Sequence, residues 1–226
     1  MSVVLTYYGH SCFGIKNGDA RLVIDPFLTG NPQAAITADQ VEADYVLVSH
    51  AHGDHLGDAV AIAKRTGATI VANYEIATYC IKQGCQAHPL HIGGGWNFPF
   101  GRVKLTIAHH GSSFPDGSYG GNPAGFLVTI EGKTIYHACD TGLFYDMKLI
   151  GEERVDVAIL PIGDNFTMGP GDALRAVKLI EPLYVIPIHY DTFDLIRQDP
   201  QAFAQKVQAE TRTRCVVLKP GGTFTL

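Results

Sequence analysis

Apolar positions along this chain follow two periods: short alternating or unbroken runs of four to eight residues, which mark strands, and a spacing near 3.6, which marks helices. The first 25 residues read as a meander, with strands from Val3 to Tyr7, Cys12 to Lys16 and Arg21 to Asp25, and Asn17-Gly18-Asp19 as a hairpin turn. Residues 26 to 38 are rich in Pro, Gly, Asn and Thr and read as a loop long enough to rim a site. Strand Tyr45 to Ser49 follows. Leu56, Ala59, Val60 and Ala63 then fall on one helical face, so the spacing predicts a helix over 56–66. Strand Thr69 to Ala72, helix Tyr74 to Gln83, a return to sheet at His91 to Trp96 and strand Arg102 to Ala108 continue the alternation.

The segment from Gly111 to Pro123 reads as a loop, and Gly125 to Ile130 with Thr134 to Ala138 read as a hairpin turning at Glu131-Gly132-Lys133. Val155 to Ile162 is almost continuously apolar, as a strand covered on both faces must be. It runs into a loop from Gly163 to Gly169, then a helix from Ala173 to Ile180 with Pro182 as a stop signal. Strand Leu183 to Ile188, helix Pro200 to Ala209 and strand Cys215 to Leu218 complete the pattern. No short repeat or low-complexity tract interrupts it. Periodicity alone therefore gives an α/β chain, with one domain over residues 1–226 as the simplest division.

The chemistry concentrates where strands end. Directly after Tyr45-Val46-Leu47-Val48, the stretch Ser49-His50-Ala51-His52-Gly53-Asp54-His55 places three imidazoles and a carboxylate within six residues. A solvated loop rich in histidine by chance is the plain alternative. Five of the ten histidines, however, fall in the two clusters His50/His52/His55 and His109/His110, each after a strand-like segment. Neutral imidazole with carboxylate oxygen is a ligand set for zinc, iron or manganese.

The pattern His-x-His-x-Asp-His, matched by His50, His52, Asp54 and His55, resembles the signature of the metallo-β-lactamase fold superfamily. That resemblance implies an αββα sandwich, two mixed sheets flanked by helices. It also implies further ligands after later strands: His110 (or its neighbour His109, the following Gly-Ser-Ser favouring His110), Asp140 and His189. Tyr8-Gly9-His10-Ser11-Cys12-Phe13, Ile24-Asp25-Pro26-Phe27 and the run from Leu160 to Pro170 resemble one subgroup. It comprises uncharacterised metal-dependent hydrolases related to the ascorbate-phosphate lactonase and, more distantly, to N-acyl-phosphatidylethanolamine phospholipase D. Cys139 departs from the pattern, which usually has glycine before the bridging aspartate. The implied centre holds two divalent ions, with His50, His52 and His110 on one, Asp54, His55 and His189 on the other, and Asp140 between them. Zn²⁺ is the first expectation, with Mn²⁺, used by the lactonase relatives, or Fe²⁺ as alternatives.

Two such ions make a hydroxide from a shared water and polarise a substrate oxygen, which describes hydrolysis, and the resemblance to the lactonase and phospholipase relatives implies a lactone or a phosphodiester in a small molecule. Asp54 is the candidate to orient that water while ligating. The rival readings are a di-iron oxidoreductase, which would normally bring a flavin module, and a metal-stabilised binding or sensing protein. Around the ligands, His10 is a candidate outer donor or substrate contact, and Asp25 a candidate to orient a ligand histidine. Asp164 and Asn165, where a buried strand exits, are candidates to line the pocket. Each of these has an equally plain structural alternative as a hydrogen-bonded or turn residue.

Composition narrows the setting. Hydrophobic residues make up 46% and charged residues 17%, ordinary for a globular chain, and the formal charge of −5 includes the proposed ligand carboxylates. Basic residues never cluster beyond pairs such as Lys64-Arg65, so a nucleic-acid partner is not expected. No run approaches a membrane span, and the start lacks the pattern of a signal peptide, so the expected address is cytoplasmic. The five cysteines form no Cys-x-x-Cys pair and read as reduced thiols. A homo-oligomer is compatible with all of this.

Overall fold

The structure is a computed structural model that describes residues 2–226. Strands β1 (Val3–Gly9), β2 (Cys12–Asn17) and β3 (Ala20–Ile24) form an antiparallel meander. The chain then adds β4 (Tyr45–Leu47), β5 (Thr69–Asn73) and β6 (Gln86–Leu90) in parallel, through helices α1 (Gly53–Leu56), α2 (Ala59–Thr66) and α3 (Tyr74–Lys82). The second half repeats that plan. Strands β7 (Gly95–Phe98), β8 (Gly101–Ile107), β9 (Ala124–Ile130) and β10 (Lys133–His137) are antiparallel. Helices α4 (Met147–Gly151), α5 (Pro170–Ile180) and α6 (Pro200–Glu210) lead into parallel strands β11 (Val157–Pro161), β12 (Tyr184–Ile188) and β13 (Arg214–Cys215). Last, β14 (Thr223–Thr225) returns to pair with β1. The result is two mixed seven-stranded sheets, ordered β14-β1-β2-β3-β4-β5-β6 and β13-β12-β11-β10-β9-β8-β7.

Three apolar layers hold the sandwich together. Between the sheets, Leu5, Tyr7, Phe13, Ile24 and Leu47 pack in one cluster with Val103, Phe126, Val128, Ile159 and Ile186. Helices α4, α5 and α6 cover the outer face of the second sheet through Met147, Leu174, Val177 and Phe203. Helices α2 and α3 cover the first through Ile62, Ile76 and Cys80. With both faces covered, β11 is buried at every position, which is why its sequence is an unbroken apolar run. Among the described residues no helix is long and apolar enough to cross a membrane.

The structure departs from the sequence expectation in a few places, each with a local cause. The helix expected over 56–66 is split into α1 and α2 at Gly57, whose φ of +40° brings it against the Pro26 carbonyl, where a Cβ would sit 2.5 Å from that oxygen. Just after the break, the Asp58 carboxylate accepts the Leu28 and Thr29 amides, tying the long loop over 26–38 to the helix. Helix α5 starts three residues before the predicted Ala173, because Pro170 at its first turn needs no amide partner. Strand β13 is shorter than predicted, although the Val216 amide still donates to Val185. Strands β6 and β14 and helix α4 were not expected. Of these, β6 is an edge strand carrying Pro89, and β14 is three residues long.

One buried histidine fastens the two sheets near their common edge. His137, at the end of β10, donates through Nε2 to the Ser11 carbonyl at 3.0 Å and accepts the Cys139 amide through Nδ1 at 3.1 Å. Both ring nitrogens are used, and burial pushes its pKa down to about 4. Replacing His137 with Ala leaves the Ser11 carbonyl and Cys139 amide unpaired beside a cavity, at a cost of about 3–5 kcal/mol. Below an ordinary histidine pKa of about 6.5 the unfolded chain takes a proton that the folded ring refuses, so this residue withdraws stability as pH falls toward 4. Urea unfolding in chelator at pH 7 and pH 5 checks both. The wild type should lose more between the two pH values than His137→Ala, and equal slopes would contradict the assignment.

Candidate metal centre

Side chains from both sheets converge where the strands end. The turn from β1 to β2 supplies His10, β3 leads to Asp25, β4 to His50 and His52, and the first turn of α1 to Asp54 and His55. From the second sheet come His110 after β8, Asp140 after β10 and His189 directly after β12. Four of these strand ends turn through the left-handed region without glycine, at His10 (φ +57°), Asp25 (+45°), Cys139 (+54°) and His189 (+55°). A glycine would take that conformation without strain, whereas Cys139 holds it with a side chain. The turn aims the neighbouring Asp140 inward.

Besides the wholly buried group Asp25, His50 and His55, two groups of candidate ligand atoms result. His50, His52 and His110 form one; His10, Asp54, His55 and His189 form the other, and within each group all the atoms lie within 4.8 Å of one another. Asp140 lies between them, its Oδ2 at 3.6 Å from His110 Nε2, 3.2 Å from His55 Nε2 and 3.0 Å from His189 Nε2. His109 is not part of this arrangement, since its ring packs edge-on against Phe144.

Asp25, beneath these donors, fixes the tautomer of His55 directly and that of His50 through Ser49. Its Oδ2 accepts the Ser49 hydroxyl at 2.6 Å and His55 Nδ1 at 2.8 Å, and its Oδ1 accepts the Ser49 amide at 2.8 Å. Because the single Ser49 proton goes to the carboxylate, His50 Nδ1, 2.9 Å from Ser49 Oγ, must be the donor to that oxygen. Both rings thus carry hydrogen on Nδ1 and turn Nε2 toward the centre, the tautomer a metal ligand needs.

The electrostatics are strongly coupled. Burial, reinforced by neighbouring imidazoles, pushes the His50 pKa well below its usual value and lowers that of His110. For His55 burial acts in the same direction, but Asp140 and Asp25 on its two sides outweigh it and raise its pKa. The Asp140 carboxyl is held well below the usual carboxylate range by His189 and His55 despite its burial, and that of Asp54 is lowered by His10 and His55 in the same way. His10 is pushed down to about 4 by burial. Deprotonated carboxylates beside neutral His50 and His110 are a donor set ready for cations at neutral pH.

A cavity of about 230 Å³ opens onto this centre, lined by His52, Asp54, His110, Asp140, His189, Phe166 and Phe193. Asp164 and Asn165 are not among its lining residues. They form an exposed turn with φ of +61° and +47°, in which Asp164 Oδ1 accepts the Asn165 amide. The aromatic rim was missed in the sequence. Phe166 and Phe193 are 51% and 39% exposed, and an apolar residue in a loop carries no periodic signal that separates a rim from a stray contact. Ser49 was also missed, although its place between Val48 and His50 marks the strand end that orients the histidines.

Comparison with known proteins agrees with this geometry. A sequence model for the beta-lactamase superfamily domain matches residues 4–189. The chain belongs to the beta-lactamase superfamily. It is 53% identical over 230 residues to a UPF0173 metal-dependent hydrolase of Heliobacterium modesticaldum, covering 98% of this chain and 97% of that one, which places it in the same family of metal-dependent hydrolases. The solved structure of Igni18, a metallo hydrolase from the archaeon Ignicoccus hospitalis, superposes with a TM-score of 0.92 at 40% identity and covers 100% of this chain and 99% of its own. YhfI of Bacillus subtilis, a metallo-beta-lactamase fold protein 16% identical over the full length of both chains, shares the fold with a TM-score of 0.77.

If Asp25 sets both tautomers, Asp25→Ala should weaken metal binding on the order of 10–100-fold while leaving the circular dichroism of the fold in place. Competition against a chromophoric chelator measures this. Unchanged affinity would mean that the Nδ1 contacts of His50 and His55 orient nothing that matters for the metal.

Proposed function

We propose that this chain acts as one hydrolase domain over residues 1–226, holding two divalent ions, Zn²⁺ before Mn²⁺ or Fe²⁺, and cleaving an ester-type bond in a small molecule. The observation that carries the reading is the single Asp140 oxygen within 3.0–3.6 Å of imidazole nitrogens from both ligand groups. The donors also fit cations on independent grounds. His10 Nε2, His55 Nε2 and Asp140 Oδ1 are buried without a hydrogen-bond partner. Orphaned polar atoms of this kind cost about 1–3 kcal/mol each when nothing fills the role. Nitrogen and carboxylate oxygen without thiolate suit zinc, manganese and iron.

Bound there, a pair of divalent ions would acidify a shared water and polarise the substrate oxygen. The protein's part is to hold its donors fixed and to admit the substrate from one side. His50, His52 and His110 would hold one ion, and Asp54, His55 and His189 the other, with Asp140 shared. Asp54, 31% exposed at the cavity wall, would orient the water while ligating. Phe166 and Phe193 at the mouth favour a small substrate with an apolar portion, and the volume of about 230 Å³ suits a lactone or a compact phosphodiester. Both bonds develop an oxyanion that the centre would stabilise.

Metal analysis of protein purified without chelator, with assays on lactone and phosphodiester panels after zinc or manganese reconstitution, tests the reading. About two equivalents of metal and turnover of one substrate class are expected. Asp140→Asn and His52→Ala should each bind less metal and lose at least about 100-fold in kcat/KM with the fold retained. Full metal content and full turnover in either variant would contradict the site.

A further inference from the structure

Within that binuclear reading, on which this inference rests, we propose that His10 is itself a ligand of the second ion, so that the two positions differ in strength and fill in order. His10 stands outside the motif residues, in the β1–β2 turn, yet its Nε2 belongs to the same group of mutually close donor atoms as Asp54, His55 and His189. Its ring lies 4.2 Å from that of His189 and 5.5 Å from that of His55, centroid to centroid.

The molecule supplies its own control for a merely structural histidine. His137 is as deeply buried as His10, and both of its nitrogens are hydrogen-bonded. In His10 only Nδ1 is, to Thr192 Oγ1 at 2.9 Å, while Nε2 is buried without a hydrogen-bond partner and faces the centre. Its nearest carboxylate oxygen, Asp54 Oδ2, is 3.4 Å away. A charge-assisted N–H···O bond would be about 2.7–2.9 Å. Two donors sharing a zinc at about 2.0–2.1 Å in tetrahedral geometry stand about 3.4 Å apart.

The backbone shows the same commitment. His10 sits at φ +57°, and its carbonyl accepts the His189 amide at 3.0 Å and the Tyr7 hydroxyl at 3.2 Å. A non-glycine residue in this region costs of order 1 kcal/mol or more and persists where surrounding contacts impose it. Here those contacts tie the His10 backbone to that of His189, a candidate ligand of the same ion, and hold the ring in register with it.

With His10, the second position has four private donors, His10, Asp54, His55 and His189, of which only Asp54 is appreciably exposed. The first has three imidazoles, His52 and His110 among them partly exposed at the cavity. The second position is therefore the tight, resident one, and the first is the exchangeable one that meets the solvent.

The test is a titration of chelator-stripped protein with Zn²⁺ by calorimetry and with Co²⁺ by visible absorbance, for the wild type, His10→Asn and His10→Gln. Asn tolerates the left-handed backbone, and apo melting temperatures establish that each variant folds. The wild type should take two equivalents in two steps. In the variants the tighter step should weaken at least tenfold and the first-equivalent cobalt spectrum should change, while the weaker step moves little. An unchanged first step with an unchanged cobalt spectrum in a folded variant would overturn the inference. A wild type that takes a single equivalent would instead overturn the binuclear reading, and weakening of that one step in His10→Asn would still assign His10 as a ligand.

Discussion

A buried carboxylate surrounded by imidazoles is the contact on which this architecture depends. Asp140 leaves the second sheet and faces His55 from the first and His110 and His189 from the second. It is almost wholly buried, so removing its partners would strand a charge in a low-dielectric interior, at a cost of several kcal/mol. The two sheets must therefore keep their relative position along the shared edge to within the length of a hydrogen bond. The apolar layer between them, from Leu5 and Phe13 across to Phe126 and Ile186, supplies cohesion, but a hydrophobic contact is non-directional and would tolerate a slide. His137, reaching from β10 to the Ser11 carbonyl in the first sheet, supplies direction.

The cost of that convergence is carried in the backbone. His10, Asp25, Cys139 and His189 occupy conformations that ordinary side chains avoid, all at strand ends that border the centre. Hydrogen bonds anchor three of them: the Asp25 amide donates to the Leu47 carbonyl, the His189 amide to the His10 carbonyl, and the Cys139 amide to His137 Nδ1. The strain and the site are two aspects of one arrangement. A β-strand presents side chains alternately to its two faces, and a sharp left-handed turn at its end is one way to point a side chain into the space beyond.

Much of this was legible in the sequence because strand ends and metal donors share one signal, an apolar run that stops abruptly at histidine or aspartate. Tyr45 to Val48 before His50 and Leu183 to Ile188 before His189 carry it plainly. What escaped has physical reasons. Strand β6 carries Pro89 and little apolar character, because an edge strand is covered on one side only. The break at Gly57 is dictated by the approach of Pro26, some thirty positions away, which no local pattern records. His10 was legible as a candidate outer donor or substrate contact in the run from Tyr8 to Phe13, but the orientation of its ring was not, since that is set by Thr192, far along the chain, which bonds its Nδ1.

The cavity wall adds a constraint on chemistry that the ligands alone do not. Its lining residues include no Lys or Arg, so an anionic group on a substrate would find no counter-charge there other than cations that the donors would hold. Under the proposed reading, recognition would divide between two unlike components. The centre would meet the reacting group, and Phe166 and Phe193, on loops after β11 and β12, would meet the remainder by shape and apolar contact. A rim of exposed rings on loops is the part of the molecule freest to change without disturbing Asp140. A fold of this kind could keep its reaction while changing its substrate, because the exposed rings at the cavity are separated in the chain from the residues whose geometry the buried carboxylate fixes.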